Sequence, residues 1–411
     1  MRAQIFPLLL LFSLVASPYG ASAEQAIAHR SVYTADLSML PPADLASSVR
    51  PVMPRLDAKE FPQSFFLRHN ALPSDGPTPT APGTTVGDSG GVPAQVQPSL
   101  NRVPNAYGNM SPFAPYTMSR VSASALGVTN LPSQVGVTSA PWRATGALYF
   151  KVGSATGACS ASMIRPGLLV TAAHCVYDFG TKSNAGFHTN FRFYPALYAN
   201  RTPPYGIWTA TAEYISSTYC NGTDTCLSAG VICNNDIAII VMARNASKQL
   251  PGRVVGWYGY GWDGYSFTTS FGGESLASIT QLGYPVAFDK GYAMERNDGV
   301  GSYFATGNLK NTLLGSPMTG GSSGGPWLVN FGTVPTIVSP ATTGSYPTMS
   351  VIGVTGWGYT TPGSELVGAS WFGENVEFPE TAYLDSHKVN RGSGNIGFLI
   401  AQACTAYYDH C

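Results

Sequence analysis

From residue 146 onward the apolar residues come in short runs broken by Gly, Asn and Pro. Gly146-Ala147-Leu148-Tyr149-Phe150-Lys151-Val152 predicts an opening strand. Ser160–Ile164 and Leu168–Thr171, divided by Pro166-Gly167, predict a hairpin. The runs 207–215, 237–242, 253–258, 275–282, 303–305, 327–329 and 350–354 continue the series. They are short, mostly apolar, often β-branched or aromatic, and no long helical period separates them. Such spacing predicts an all-β barrel or sandwich.

The chain before residue 141 has a different character. Arg2 precedes an apolar run from Ile5 to Ala16, and Ala21-Ser22-Ala23 follows as a small-residue cleavage site. Residues 1–23 are therefore expected to be a signal peptide, since the run is too short to span a membrane. Residues 24–140 are rich in proline, and Pro73–Gly91 almost lacks large apolar side chains. Such a stretch cannot offset its backbone ordering by burial. It is expected to be a propeptide or flexible N-terminal region, with local packing among Val49, Val52, Leu56, Phe61 and Phe65–Leu67. Residues 141–411 form the expected folded domain.

Composition narrows the class further. Charged residues make up 11% of the chain, well below the roughly 25% of an ordinary globular domain. The formal net charge is zero and no Lys/Arg run appears, which argues against a nucleic-acid partner. Export makes the 7 cysteines a disulfide set with one left over. A secreted, extracellular protein with no membrane association is expected, with a monomer as its expected state, which composition does not itself give.

Three segments carry candidate chemistry. A serine hydroxyl is a poor nucleophile at neutral pH, so it needs a base, and the base needs an orienting group. His174, in Thr171-Ala172-Ala173-His174-Cys175, follows an apolar strand and is the candidate base. Asp236, in Asn234-Asn235-Asp236-Ile237-Ala238, enters an apolar strand, where an unpaired carboxylate is costly. Holding one histidine tautomer would give it a partner. Ser323 lies in Gly320-Gly321-Ser322-Ser323-Gly324-Gly325-Pro326-Trp327 and is the candidate nucleophile, with Ser322 its rival by residue type. The N–H groups of Gly321 and Ser323 are placed to converge on a developing oxyanion.

The three segments, in the order His-Asp-Ser, resemble the signatures of the chymotrypsin/trypsin-like serine endopeptidases, nearest their bacterial and fungal glutamyl-endopeptidase-like branch. The resemblance covers residues 146–411. It implies two six-stranded antiparallel β-barrels with the active site between them. It also implies acyl-enzyme hydrolysis of a peptide or protein by His174, Asp236 and Ser323, without cofactor or metal. Cys159 and Cys175 resemble the family's histidine-loop disulfide. Cys404 and Cys411 could close a small loop, and two of Cys220, Cys226 and Cys233 could pair. Thr355, Gly356, Trp357 and Gly358 resemble the substrate-binding edge, where a peptide would add as an antiparallel strand.

The chain also departs from the family. Ser322 stands where trypsin-like members carry the aspartate that receives a freed N-terminal ammonium. Pro317 stands where they carry an acid at the base of the specificity pocket. Thr355 and Gly356 stand near where glutamyl endopeptidases carry a histidine, and Thr319 with Thr355 would make a mildly polar pocket. Two other readings compete: an inactive binding protein that keeps the fold, and an esterase-type acyl hydrolase. The triad order and the missing strand–nucleophile–helix setting disfavour the second.

Overall fold

The computed structural model describes residues 26–30, 55–56, 116–121, 136–198, 203–269, 275–332, 349–359, 365–379 and 381–411. The expected signal peptide and the Pro73–Gly91 stretch lie outside them. Six strands of the seven-stranded first sheet form its ring: Thr145–Val152 (β1), Ala155–Met163 (β2), Leu168–Thr171 (β3), Thr189–Pro195 (β4), Trp208–Ser216 (β5) and Ala238–Met242 (β6). They pair antiparallel in the order β1–β2–β3–β6–β5–β4, and β4 returns to β1, so the ring closes. Closure removes free sheet edges. Leu148, Phe150, Met163, Leu169, Phe191, Phe193 and Ile239 are buried.

The second sheet contains Ser275–Gly283 (β7), Glu295–Thr306 (β8), Leu309–Gly315 (β9), Pro326–Val329 (β10), Ser350–Val354 (β11), Trp357–Tyr359 (β12) and Leu366–Ser370 (β13). Short additional strands bring it to 11. Trp327, Ile279, Leu314, Val329, Val367 and Ala369 pack together in its core. This sheet does not close. Its path runs β11–β10–β7–β8–β9–β13–β12, and among the described residues no ladder joins the two ends. The reason lies at Thr355-Gly356, where the chain changes partner. β11 pairs with β10, whereas β12 pairs with β13. Each half keeps an edge that accepts another strand in parallel, Gly259–Tyr260 on β11 and Arg55–Leu56 on β12. The expected pair of six-stranded barrels is thus corrected to one closed six-stranded barrel and one open sheet.

Two other expectations change. The run 253–258 is not a strand; Pro251–Val255 (α1) is a short helix with proline at its start, where the missing N–H costs nothing. A second helix, Gly394–Ala406 (α2), packs on β5 and β6. It buries Ile396, Phe398, Leu399 and Ile400, and so covers the outer face of the barrel. This explains why every residue of β6 is buried rather than every second one. No helix among the described residues is long and apolar enough to cross a membrane.

Parts of the N-terminal region are built into both sheets. Ala26–Arg30 pairs antiparallel with Ala212–Ser216 of β5. Tyr116–Arg120 pairs antiparallel with Glu295–Gly299 of β8. Arg120 faces Asp289 and lies 4.0 Å from the buried Glu295. Burial pushes the Glu295 carboxyl up to about 8, Asp289 pushes it in the same direction, and Arg120 opposes both. The folded protein therefore holds a proton that the unfolded chain releases near 4.5, and stability falls as pH rises from there to about 8. Glu295→Gln is expected to remove this dependence. The Tm difference between variant and parent should widen from pH 4.5 to about 8 and stay level above it. The ceiling is roughly 5 kcal/mol, at about 1.4 kcal/mol per pH unit. A pH-independent difference in thermal melts would contradict the assignment.

Candidate active site

The barrel register brings the first two groups together. β3 and β6 run antiparallel with Thr171 opposite Ala238. The chain leaving β3 and the chain entering β6 therefore share one end of the barrel. His174 sits there in a short turn, Ala173–Cys175, and Asp236 lies just before β6. The His174 backbone N–H donates to Asp236 Oδ1 at 2.9 Å, and His174 Nδ1 is 2.9 Å from Oδ2. Asp236 is 1% exposed. Its own N–H donates to Ser370 Oγ at 3.0 Å, and Ser370 Oγ donates to Cys233 O at 2.8 Å. The last residue of β13 in the open sheet thus anchors the aspartate of the barrel.

A buried polar network lies behind Asp236. Asn235 donates through N and Nδ2 to Asp224, at 3.0 and 2.7 Å. Asn395, at the start of α2, donates to Asn234 O, Asn235 Oδ1 and Trp371 O. Burial, with Glu377 nearby, holds the Asp224 carboxyl well above the usual carboxylate range. Cys226 and Cys233 form a disulfide that closes the loop before Asn234, which leaves Cys220 as a buried free thiol. Cys159–Cys175 and Cys404–Cys411 are also joined.

Ser323 is held by a turn that connects to the same end of the barrel. Ser322 N–H donates to Thr319 O at 3.1 Å, with Gly321 at φ +95°, a conformation suited to the third position of a type II turn. Gly320 C=O accepts from Val286 N–H at 2.8 Å. In a trans peptide the N–H points opposite to the C=O, so Gly321 N–H faces away from Val286. Ser160 clasps the turn from the barrel side. Its N–H donates to Ser323 O at 2.7 Å and its Oγ donates to Gly321 O at 2.8 Å. Cys159, beside Ser160, is bonded to Cys175, beside His174, so one disulfide ties both supports. Ser323 Oγ and His174 Nε2 are buried without a hydrogen-bond partner among the described residues. Buried polar atoms are rarely left so, and these two are the atoms that a triad would use.

Gly324 shows how little space the turn has. Its φ is +77°, and a Cβ would fall 1.9 Å from Thr171 Oγ1 and 2.4 Å from Ser160 O. Gly324→Ala is expected to cost about 4 kcal/mol from backbone strain and overpacking. A drop in Tm of roughly 10 °C would report it. An unchanged melt would contradict the packing described.

The remaining sequence-predicted residues divide by role. Thr355 is fully buried, and its Oγ1 accepts from Gln281 Nε2 at 2.8 Å and Trp327 Nε1 at 3.0 Å. That hydroxyl is committed to the interior, so it does not supply the polar pocket expected of it. Thr355 O accepts from Gly324 N–H at 2.7 Å and so supports the turn. Gly356 lies against the orienting group, since a Cβ there would be 3.0 Å from Asp236 Oδ2. Trp357 is 1% exposed, and its Nε1 donates to Asn311 Oδ1 at 2.9 Å. Gly358 is the edge position, paired with Val367 on one side and Arg55 on the other. Sequence reasoning missed Ser160, Ser370 and Asn395. Each acts across more than a hundred residues, and no local pattern marks them.

Two clusters offer three metal-ligating residue types each, Cys159/His174/Cys175 and Asp224/Cys226/Cys233. In both, the two thiols are joined to each other and leave no thiolate to ligate. No known protein-family profile matches the chain. Over 156 residues it is 29% identical to the extracellular metalloprotease of Bacillus subtilis strain 168, across 38% of this chain and 44% of that protein. Over 175 residues it is 30% identical to the glutamyl endopeptidase of Bacillus licheniformis, across 42% of this chain and 44% of that protein. The chain thus spans less than half the length of these curated relatives. Similar solved structures include the protease Anisep from Arthrobacter nicotinovorans, 23% identical over 57% of this chain and 92% of that one, with a TM-score of 0.42. The thermostable serine protease AL20 is 21% identical over 56% of this chain and 92% of that one, with a TM-score of 0.43.

Over about two fifths of its length the chain is thus similar to a bacterial glutamyl endopeptidase and to an extracellular metalloprotease.

Proposed function

We propose that this chain is a secreted serine endopeptidase acting as a monomer on peptide or protein substrates. The observation that carries the reading is the buried His174–Asp236 pair, with His174 Nε2 and Ser323 Oγ without partners among the described residues. In this reading His174 Nε2 takes the proton of Ser323 Oγ as that oxygen attacks the peptide carbonyl. Asp236 holds the Nδ1–H tautomer and stabilises the imidazolium. The N–H groups of Gly321 and Ser323 receive the oxyanion. His174 then protonates the leaving amine, and water attacks the acyl-enzyme with His174 again as base. The backbone of Gly356–Gly358 binds the substrate strand once Arg55–Leu56, which pairs with Gly358–Tyr359 here, has left that edge.

Three disulfides fit an oxidising compartment, and a relative named as extracellular agrees with export. Residues 1–23 are then the export signal, residues 24–140 the region on which maturation acts, and residues 141–411 the protease domain. Ser322 supports activation without an ammonium–aspartate pair, because its Oγ already donates to Thr319 O at 2.7 Å.

The test is reaction of the secreted protein with a serine-directed phosphonylating reagent, followed by peptide mapping and casein hydrolysis. One phosphonyl group on Ser323, with casein cleavage lost in proportion, is expected. Labelling elsewhere, or casein cleavage that survives full labelling, would overturn the reading. Cleavage of short esters but not casein would favour an acyl hydrolase.

A further inference from the structure

Tyr116–Arg120 falls inside the region assigned to maturation, yet its side chains are part of the folded body. The strand alternates, with Tyr116 and Met118 buried and Thr117 and Ser119 exposed. Its five residues pair with β8, and Val121 N–H adds a bond to Met294 O at 2.8 Å. Tyr116, Met118 and Met318 form one apolar cluster, with Phe288 packed against it. Met318 follows Pro317, the position that corresponds to the base of the specificity pocket, and it also reaches the nucleophile turn. A Cβ on Gly283 would meet Ser322 Cβ at 3.1 Å and Met318 Sδ at 3.3 Å. A polar connection runs alongside the apolar one. Tyr116 OH donates to the Glu365 carboxylate. Glu365 C=O accepts from Ser316 N–H at 2.8 Å, and Ser316 Oγ accepts from Met318 N–H at 3.2 Å.

We propose that residues 116–121 are a permanent strand of the protease body, and that Tyr116 and Met118 are positioning residues that brace the Ser316–Thr319 wall of the specificity pocket from behind. The naming of that wall rests on the endopeptidase reading; the bracing does not. Maturation must then cut before Tyr116, or leave this strand bound if it cuts after Val121. Removing the strand would uncover Met318, which is 2% exposed, and separate Arg120 from Asp289 and Glu295.

The brace is tested in a Ser323→Ala chain, where no activity is needed, by hydrogen exchange with and without Met118→Ala. Amides of 316–319 are expected to exchange at least tenfold faster, with those of β1–β6 unchanged. Tyr116→Phe, which removes only the hydroxyl, gives a second and milder comparison should Met118→Ala fail to fold. In the active chain, Tyr116→Phe is expected to raise KM for peptide substrates about fivefold, with kcat per phosphonylated site within twofold. Exchange at 316–319 that is unchanged, or that rises equally in every strand, would overturn the brace. So would fully active protein that begins after Val121 and carries no accompanying peptide. Failure of Ser323 to react with the phosphonylating reagent would instead remove the endopeptidase reading, while the exchange result would still decide the brace.

Discussion

Ser323→Ala is expected to lower kcat for casein hydrolysis by a factor on the order of 10⁵ to 10⁶ while leaving Tm within a few degrees of the parent. The two halves of the expectation have separate causes. Among the described residues the Ser323 hydroxyl has no hydrogen-bond partner, so its removal breaks no bond there. The backbone bond from Ser160 to Ser323 O is untouched, as is the turn around Gly321 and Gly324. The chemistry loses its only candidate nucleophile in position. Ser322 is no substitute, because its Oγ already donates to Thr319 O at 2.7 Å. Ser322→Ala is accordingly expected to keep casein hydrolysis within tenfold of the parent. The check is kcat on casein alongside thermal melts for both variants. Activity that survives Ser323→Ala, or that disappears with Ser322→Ala at unchanged Tm, would move the nucleophile to the neighbouring residue or remove the triad altogether.

Where the candidate site is local, its geometry was legible in the sequence. The turn at Gly320–Pro326 needs glycines at positions of positive φ, and such a requirement is written into the residues themselves. The histidine turn after β3 and the aspartate before β6 lie next to apolar strands, and their meeting follows from one antiparallel pairing. Most strands of the first barrel were legible for the same reason, but Thr189–Pro195, which closes the ring, was not among the predicted runs. What escaped prediction depends on groups distant along the chain. Nothing near Ser370 says that it will receive Asp236 N–H, and nothing near Asn395 says that its amide will bind Asn234 and Asn235.

The fold-level misses have similar causes. The run at 253–258 carries β-branched residues, and the proline two positions earlier outweighed them by starting a helix. The helix Gly394–Ala406 is buried over most of its circumference, so it lacks the polar face by which periodicity is recognised. Closure of a second barrel was implied by resemblance, and closure is a property of partners rather than runs. The change of partner at Thr355-Gly356 cannot be read from either strand alone. Tyr116–Arg120 was submerged in a proline-rich region whose average composition hid the four alternating residues Tyr116–Ser119.

Asp236→Asn is the variant that most directly separates a catalytic pair from a structural one. The geometry fixes which way the new amide must point. The His174 backbone N–H donates to Oδ1, and it needs an acceptor there whatever the side chain. The asparagine carbonyl oxygen is therefore held at Oδ1, which sets its NH₂ group against His174 Nδ1. Nδ1 must then accept, which places the proton on Nε2, where the base should be free to receive the proton of Ser323. A loss in kcat on the order of 10⁴ at neutral pH is expected from this wrong tautomer. The fold should change little, because asparagine is nearly isosteric and the main-chain bond to Ser370 remains. Two measurements check the argument together: kcat for a peptide substrate, and the protonated nitrogen of His174 by ¹⁵N NMR in parent and variant. A proton that moves from Nδ1 to Nε2 with the activity loss supports orientation as the role of Asp236. A loss below about a hundredfold with the same tautomer change would mean that His174 is not the base. A large fall in Tm with no tautomer change would make the pair a structural bond at the barrel's end.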